Sequence, residues 1–136
     1  VIKGGGVNVN GGTWNGSGVT FYFPDSSYIQ FNGTVKLNLS APTSGTYDNL
    51  LMYEATGLSK SSFTMNATNG ATMTGLMYLP SRQLTLNSGA SVSSNSLTMV
   101  LDTLTVNQVN WTLDSSAKSI AASSSSGASS GIYLLK

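Results

Sequence analysis

The chain has 136 residues, 8% of them charged, a net charge of +1, and neither Cys nor His. One domain fits that length. The composition excludes zinc fingers, thiol nucleophiles, haem ligation and a Ser-His-Asp triad, and six scattered Lys and Arg residues make no basic stripe for nucleic acid. Hydrophobic residues reach 40%, enough for a core, while Ser, Thr, Asn and Gly supply nearly half of the chain.

No dozen consecutive residues carry apolar positions at helical spacing without Gly, Asn or Ser breaking them. Short alternating runs recur instead. They are Val7–Val9, Val19–Phe23, Tyr28–Phe31, Val35–Leu39, Phe63–Met65, Leu84–Leu86 and Leu104–Val106. Their β-branched and aromatic content, bounded by Asn-Gly, Ser-Gly or Pro, predicts an all-β chain.

Each run belongs to a repeat. The tetrapeptide apolar–polar–apolar–Asn ends at Asn10, Asn32, Asn66, Asn87 and Asn107, in steps of 22, 34, 21 and 20 residues. The long step contains residues 41–49, whose Pro, Gly and Ser content predicts an inserted surface loop. A second segment keeps the same beat: Phe21-Tyr22-Phe23-Pro24, Leu51-Met52-Tyr53-Glu54 (with one residue of slack in register), Met77-Tyr78-Leu79-Pro80 and Met99-Val100-Leu101-Asp102. A weaker third strand follows each Asn, at Thr13-Trp14, Val35–Leu39, Ala71–Thr74, Ala90–Ser93 and Val109–Leu113.

Three strands per repeat of about 20–22 residues predict a short right-handed parallel β-helix of about five coils. Inward side chains would stack into apolar columns, with the backbone bonded between coils at roughly 4.8 Å. The Asn is expected to take the left-handed corner conformation, with Gly after it at Asn10-Gly11, Asn32-Gly33 and Asn69-Gly70. An antiparallel β-sandwich, with Asn-Gly marking hairpins, is the alternative. The domain is expected over residues 1–120, followed by a flexible Ser/Gly-rich segment at 121–131 and a terminal strand at 132–136.

Several stretches stand out together: Gly4-Gly5-Gly6 leading to Val7-Asn8-Val9-Asn10-Gly11, Gly18–Tyr22, Leu39-Ser40-Ala41-Pro42-Thr43-Ser44-Gly45-Thr46-Tyr47, Gly75–Pro80 and Leu101–Val106. In this order they resemble the C-terminal, exported β-helix region of TadE/TadG-like proteins of bacterial tight-adherence (Flp) pilus assembly. The resemblance spans roughly residues 1–114 and is most specific in the Ser-Ala-Pro-Thr-Ser-Gly-x-Tyr loop. It implies a periplasmic or cell-surface location and a non-catalytic role in pilus assembly or attachment. No apolar run approaches the roughly 20 residues of a membrane span. A chain starting at Val1 is therefore expected to be a processed or excised portion.

The enzymatic rival is polysaccharide cleavage, which needs clustered carboxylates. The acids are Asp25, Asp48, Glu54, Asp102 and Asp114. Asp25, Arg82 and Asp102 follow equivalent strands in different coils, so they share a face. Three coils would place the two Asp residues roughly 14 Å apart, beyond the ~9.5 Å limit for paired glycosidase carboxylates. They are expected to be solvated surface charges, or for Asp25 a local turn after Pro24, with no catalysis, cofactor or metal.

The candidate binding residues are Tyr22, Tyr53 and Tyr78, which occupy corresponding outward positions. As an aromatic ladder they could bind a protein partner or carbohydrate, or stack on one another beneath the loop of Pro42 and Tyr47. Trp14 and Trp111 are expected to cap the ends. The strand Ile132–Leu135 is expected to pair back onto the solenoid or to insert into another copy, so self-association through the ends is anticipated.

Overall fold

The computed structural model describes residues 1–66, 70–87 and 91–113, and every regular element among them is a β-strand. The strands are β1 (Gly6–Val9), β2 (Thr13–Gly16), β3 (Phe21–Phe23), β4 (Tyr28–Phe31), β5 (Lys36–Ser40) and β6 (Leu50–Glu54), then β7 (Ser61–Met65), β8 (Ala71–Leu86), β9 (Ser91–Val106) and β10 (Asn110–Leu113). All pairings are parallel, between strands one coil apart. This is a parallel β-solenoid, and the antiparallel sandwich is excluded.

The coil has three faces. β1, β4, β7 and the last parts of β8 and β9 stack on the first face. β2, β5, the first parts of β8 and β9, and β10 stack on the second. β3, β6 and the middles of β8 and β9 stack on the third. The register therefore makes four complete turns, and the end of β9 with β10 begins a fifth.

Alternation drives this winding. In β5 the even-spaced Leu37 and Leu39 are buried while Lys36 and Asn38 are exposed. The inward residues of successive coils form columns such as Ile29–Phe63–Leu84 and Phe31–Met65–Leu86, all at most 2% exposed. Each such side chain contributes about 1.5–3 kcal/mol on burial. Parallel neighbours on both sides also satisfy the backbone groups of the interior rungs without a hairpin.

The Asn residues hold a corner in a different way from the expectation. Asn32 donates its Nδ2 to Asn10 Oδ1 at 3.2 Å, and Asn66 to Asn32 at 2.9 Å. Asn87 then donates to Asn66 at 2.5 Å, and Asn107 to Asn87 at 3.1 Å. The residues with positive φ are the following ones, Gly11, Gly33 and Gln108, and not the Asn. An extended Asn keeps its amide pointing along the stack, which a left-handed one would turn away. The corner conformation passes to the next residue.

The 41–49 insertion falls between the end of β5 and the start of β6, with Asn49 N donating to Pro42 O at 2.8 Å to close it. One coil later the same corner is turned by Gly75 alone. An added Cβ there would lie 2.6 Å from Ala41 Cβ and 2.9 Å from Asn49 O, at φ +123°. The one-residue slack expected in the Leu51–Glu54 segment is a bulge, since Leu50 pairs Leu76 and Met52 pairs Met77. The segments expected at 121–131 and 132–136 lie outside the described residues.

Candidate functional site

The third face carries the aromatic ladder. Tyr22, Tyr53 and Tyr78 are paired in register across three coils. Phe21, Phe23, Met52 and Met77 turn toward the core, which sends the intervening Tyr outward. Tyr22 and Tyr53 stack with ring centroids 5.5 Å apart and planes 18° apart, and Tyr53 and Tyr78 at 6.0 Å and 25°. At those spacings parallel rings overlap in the offset manner. Each ring is half-buried, and the faces that could receive a sugar are turned partly to a neighbouring Tyr. The column continues at Val100, 38% exposed.

Pro42 and Tyr47 stand apart from that ladder on the loop at the corner between the second and third faces. Pro42 is half-buried and Tyr47 is 49% exposed, with its carbonyl accepting from Leu50 N at 3.0 Å. The second face is polar instead. Asn15, Asn38, Ser40, Thr72 and Thr74 line a shallow groove of about 410 Å³. Asn38 Nδ2 donates to Asn15 Oδ1 at 2.7 Å, a second amide pair along the stack.

No protein-family model, curated protein or solved structure matches the chain. The chemistry of the site therefore rests on its own residues.

The charged residues are corrected most by the structure. Glu54 and Arg82 were expected among solvated charges and are instead fully buried. Glu54 takes the inward place that Phe23 holds one coil earlier. Its Oε2 accepts from Arg82 Nε at 2.8 Å, and its Oε1 from Ser81 N at 2.5 Å. The remaining guanidinium nitrogens donate to Ser26 O at 3.2 Å and Asp25 O at 2.7 Å. The guanidinium also lies 5.6 Å from the Phe23 ring centroid. A charge without water is tolerable only when its polar atoms have partners, and here each guanidinium nitrogen and each carboxylate oxygen has one.

Asp25, Arg82 and Asp102 share the corner between the third and first faces, yet they point to different surroundings. Asp25 binds its own turn. Its carboxyl is held below the usual carboxylate range first by the Ser27 hydroxyl, then by the backbone N–H groups of Ser27 and Gly4. Asp102 binds Lys60 Nζ at 2.6 Å, and that partner lowers its pKa most. Arg82 reaches the backbone carbonyl of Asp25, while the Asp25 carboxyl turns to Ser27 and Gly4 and the Asp102 carboxyl to Lys60, so the three charged groups meet at no common point. Among the described residues no group of three or more acidic residues is placed to hold a metal ion.

Trp14 and Trp111 stand in one column at the first and last rungs of the second face, both half-buried. Trp14 packs edge-on against Phe31 at 5.8 Å. The buried Glu54–Arg82 pair escaped sequence reasoning although a signal was present. Period-2 alternation from Met52 puts Glu54 inside, and alternation back from Leu86 and Leu84 puts Arg82 inside.

Proposed function

We propose that the chain is a non-catalytic structural module that displays an adhesive surface outside the cytoplasm, as an accessory of bacterial pilus assembly or surface attachment. The observation that carries this reading is the Tyr22–Tyr53–Tyr78 stack, which spans three coils and stiffens the third face. Its hydroxyls and ring edges offer a partner both apolar area and hydrogen bonds, the chemistry favoured at interfaces. The buried Glu54–Arg82 pair supports the same reading, because these charges serve the wall of the solenoid. The bacterial-surface setting follows from the resemblance to TadE/TadG-like exported regions.

The test is a deletion in the source bacterium, with piliation and surface adhesion measured together and complemented by the wild type and by Tyr22→Ala/Tyr78→Ala. Reduced adhesion restored only by the wild type is expected. Unchanged piliation and adhesion after deletion contradict the proposal.

Carbohydrate is the second candidate partner. Ring-face stacking on sugars would need faces that these tyrosines turn partly to each other, so the ladder favours a protein partner. A glycan array separates the two. Wild-type binding that disappears in the folded Tyr22→Ala/Tyr78→Ala variant would favour sugar, and no wild-type binding would remove it.

A further inference from the structure

The outward column of the third face holds three phenols side by side. β3, β6 and the middle of β8 are parallel and in register at Tyr22, Tyr53 and Tyr78, so their backbones stand one rung apart, roughly 4.8 Å. In-register parallel strands also send the three side chains off the sheet in the same direction. The rings are 5.5 Å and 18° apart in the first pair, and 6.0 Å and 25° in the second. Each is half-buried, so its edge meets solvent and has room to tilt.

Two other tyrosines lack this arrangement. Tyr28 lies across Gly6, where an added Cβ would sit 2.3 Å from the Tyr28 Cζ, and Tyr47 stands on the 41–49 loop. Among the described residues neither is paired with another ring. Competing oxidisable groups are also kept off the third face. The chain has no Cys, and Met52 and Met77 beneath the ladder are fully buried, which shields a thioether from oxidants in solution. Trp14 and Trp111 belong to the second face.

We propose that the ladder is an oxidative cross-linking site, at which a one-electron oxidant joins neighbouring tyrosines as dityrosine. Two phenols each give an electron to the oxidant and the hydroxyl proton to water, leaving two tyrosyl radicals. The radicals form a carbon–carbon bond between ring positions ortho to oxygen. The hydrogen on each of those carbons then moves to its oxygen and restores the phenol. In all, two electrons and two protons leave. The fold supplies the proximity, since it holds both reactants together before either is oxidised. The closer and more parallel Tyr22–Tyr53 pair reacts first. A bond between rungs closes the chain across a coil and raises its resistance to unfolding. The inference rests on the ladder's geometry and stands apart from the adhesive reading, because cross-linking is read on the isolated chain and adhesion in the bacterium.

Brief illumination of the full chain at low micromolar concentration with a ruthenium bipyridyl complex and persulfate, a small one-electron oxidant system, tests it. Trypsin digestion of the denatured product cuts after Lys3, Lys36, Lys60 and Arg82, which leaves Tyr22, Tyr53 and Tyr78 on separate peptides, 4–36, 37–60 and 61–82. Dityrosine fluorescence should appear in protein that still runs as a monomer on a denaturing gel. Mass spectrometry should find peptide 4–36 joined to 37–60 as the main product and 37–60 joined to 61–82 as the lesser one. Tyr28→Phe and Tyr47→Phe should keep the link. Tyr53→Phe should remove it, because Tyr22 and Tyr78 then stand two rungs apart, roughly 9.6 Å. No dityrosine in the wild type, dityrosine confined to protein of doubled mass, or a monomer link that survives Tyr53→Phe overturns the proposal. If circular dichroism shows Tyr53→Phe unfolded, Tyr22→Phe/Tyr78→Phe leaves Tyr53 without a phenol neighbour and must lose the link in the same way.

Discussion

Two corners of the solenoid solve the same geometric problem with opposite chemistry. The corner after the first face is built from one residue type, Asn10, Asn32, Asn66, Asn87 and Asn107, each bonded to the one before. The corner before the first face repeats nothing. It uses an Asp25 turn in one coil, Glu54 and Arg82 buried across the next two, and an exposed Lys60–Asp102 pair beyond. A periodic corner distributes its stabilisation evenly over small neutral bonds, whereas an aperiodic corner concentrates it in one desolvated pair.

Breaking that pair should have the largest effect. Arg82→Ala leaves Glu54 buried with one backbone donor, and urea unfolding should show a loss of about 3–5 kcal/mol. Gly75→Ala comes next, because the third corner of that coil has no room for a Cβ. Its cost should be about 1–3 kcal/mol. Gly45→Ala, on the open loop with nothing within 4 Å of its Cβ position, should cost only the left-handed penalty of about 1–2 kcal/mol.

The amide ladder should respond by position. Asn66→Ala removes two side-chain bonds in the middle of the stack and should cost about 1–3 kcal/mol. Asn107→Ala removes only one, at the exposed top, and should cost under about 1.5 kcal/mol. Thermal melts of the two variants side by side check this order. Equal losses would mean that the ladder acts only locally.

The smallest effects belong to the solvated carboxylates. Asp25 and Asp102 have folded pKa values below the ordinary 3.8. Their contribution is therefore fully present above 3.8 and is lost as pH falls through the lower folded values. Melting temperature should be flat between about pH 5 and 7, where no His is present to titrate, and should fall below about pH 4. Asp102→Asn should flatten part of that acid limb and remove part of the salt dependence from the exposed Lys60 contact. An unchanged acid limb in Asp102→Asn would show that the Lys60 pair does not form in solution.

The difference between the corners also explains what could be read from the sequence. The Asn steps of 22, 34, 21 and 20 are the ladder itself, and the 41–49 insertion lies where the long step required. The tyrosines were legible because they recur on the same beat. The conformation of the Asn was misassigned, since residue type alone does not say whether a side chain is needed for a turn or for the coil below. Glu54 and Arg82 were misassigned because each occurs once, and their partner lies 28 residues away. Their charge suggested water, but the alternation around Met52, Leu84 and Leu86 already placed both inside.

A double-mutant cycle on Glu54 and Arg82, followed by urea unfolding, tests most directly whether the aperiodic corner is internal structure. Glu54→Leu and Arg82→Met should each cost about 3–5 kcal/mol, because each leaves the other charge buried without its partner. The combined Glu54→Leu/Arg82→Met variant should return to within about 1 kcal/mol of the wild type, since an apolar pair of similar volume replaces the ionic one. Single losses under about 0.5 kcal/mol that simply add would contradict this, placing both groups in water and opening that corner as a surface.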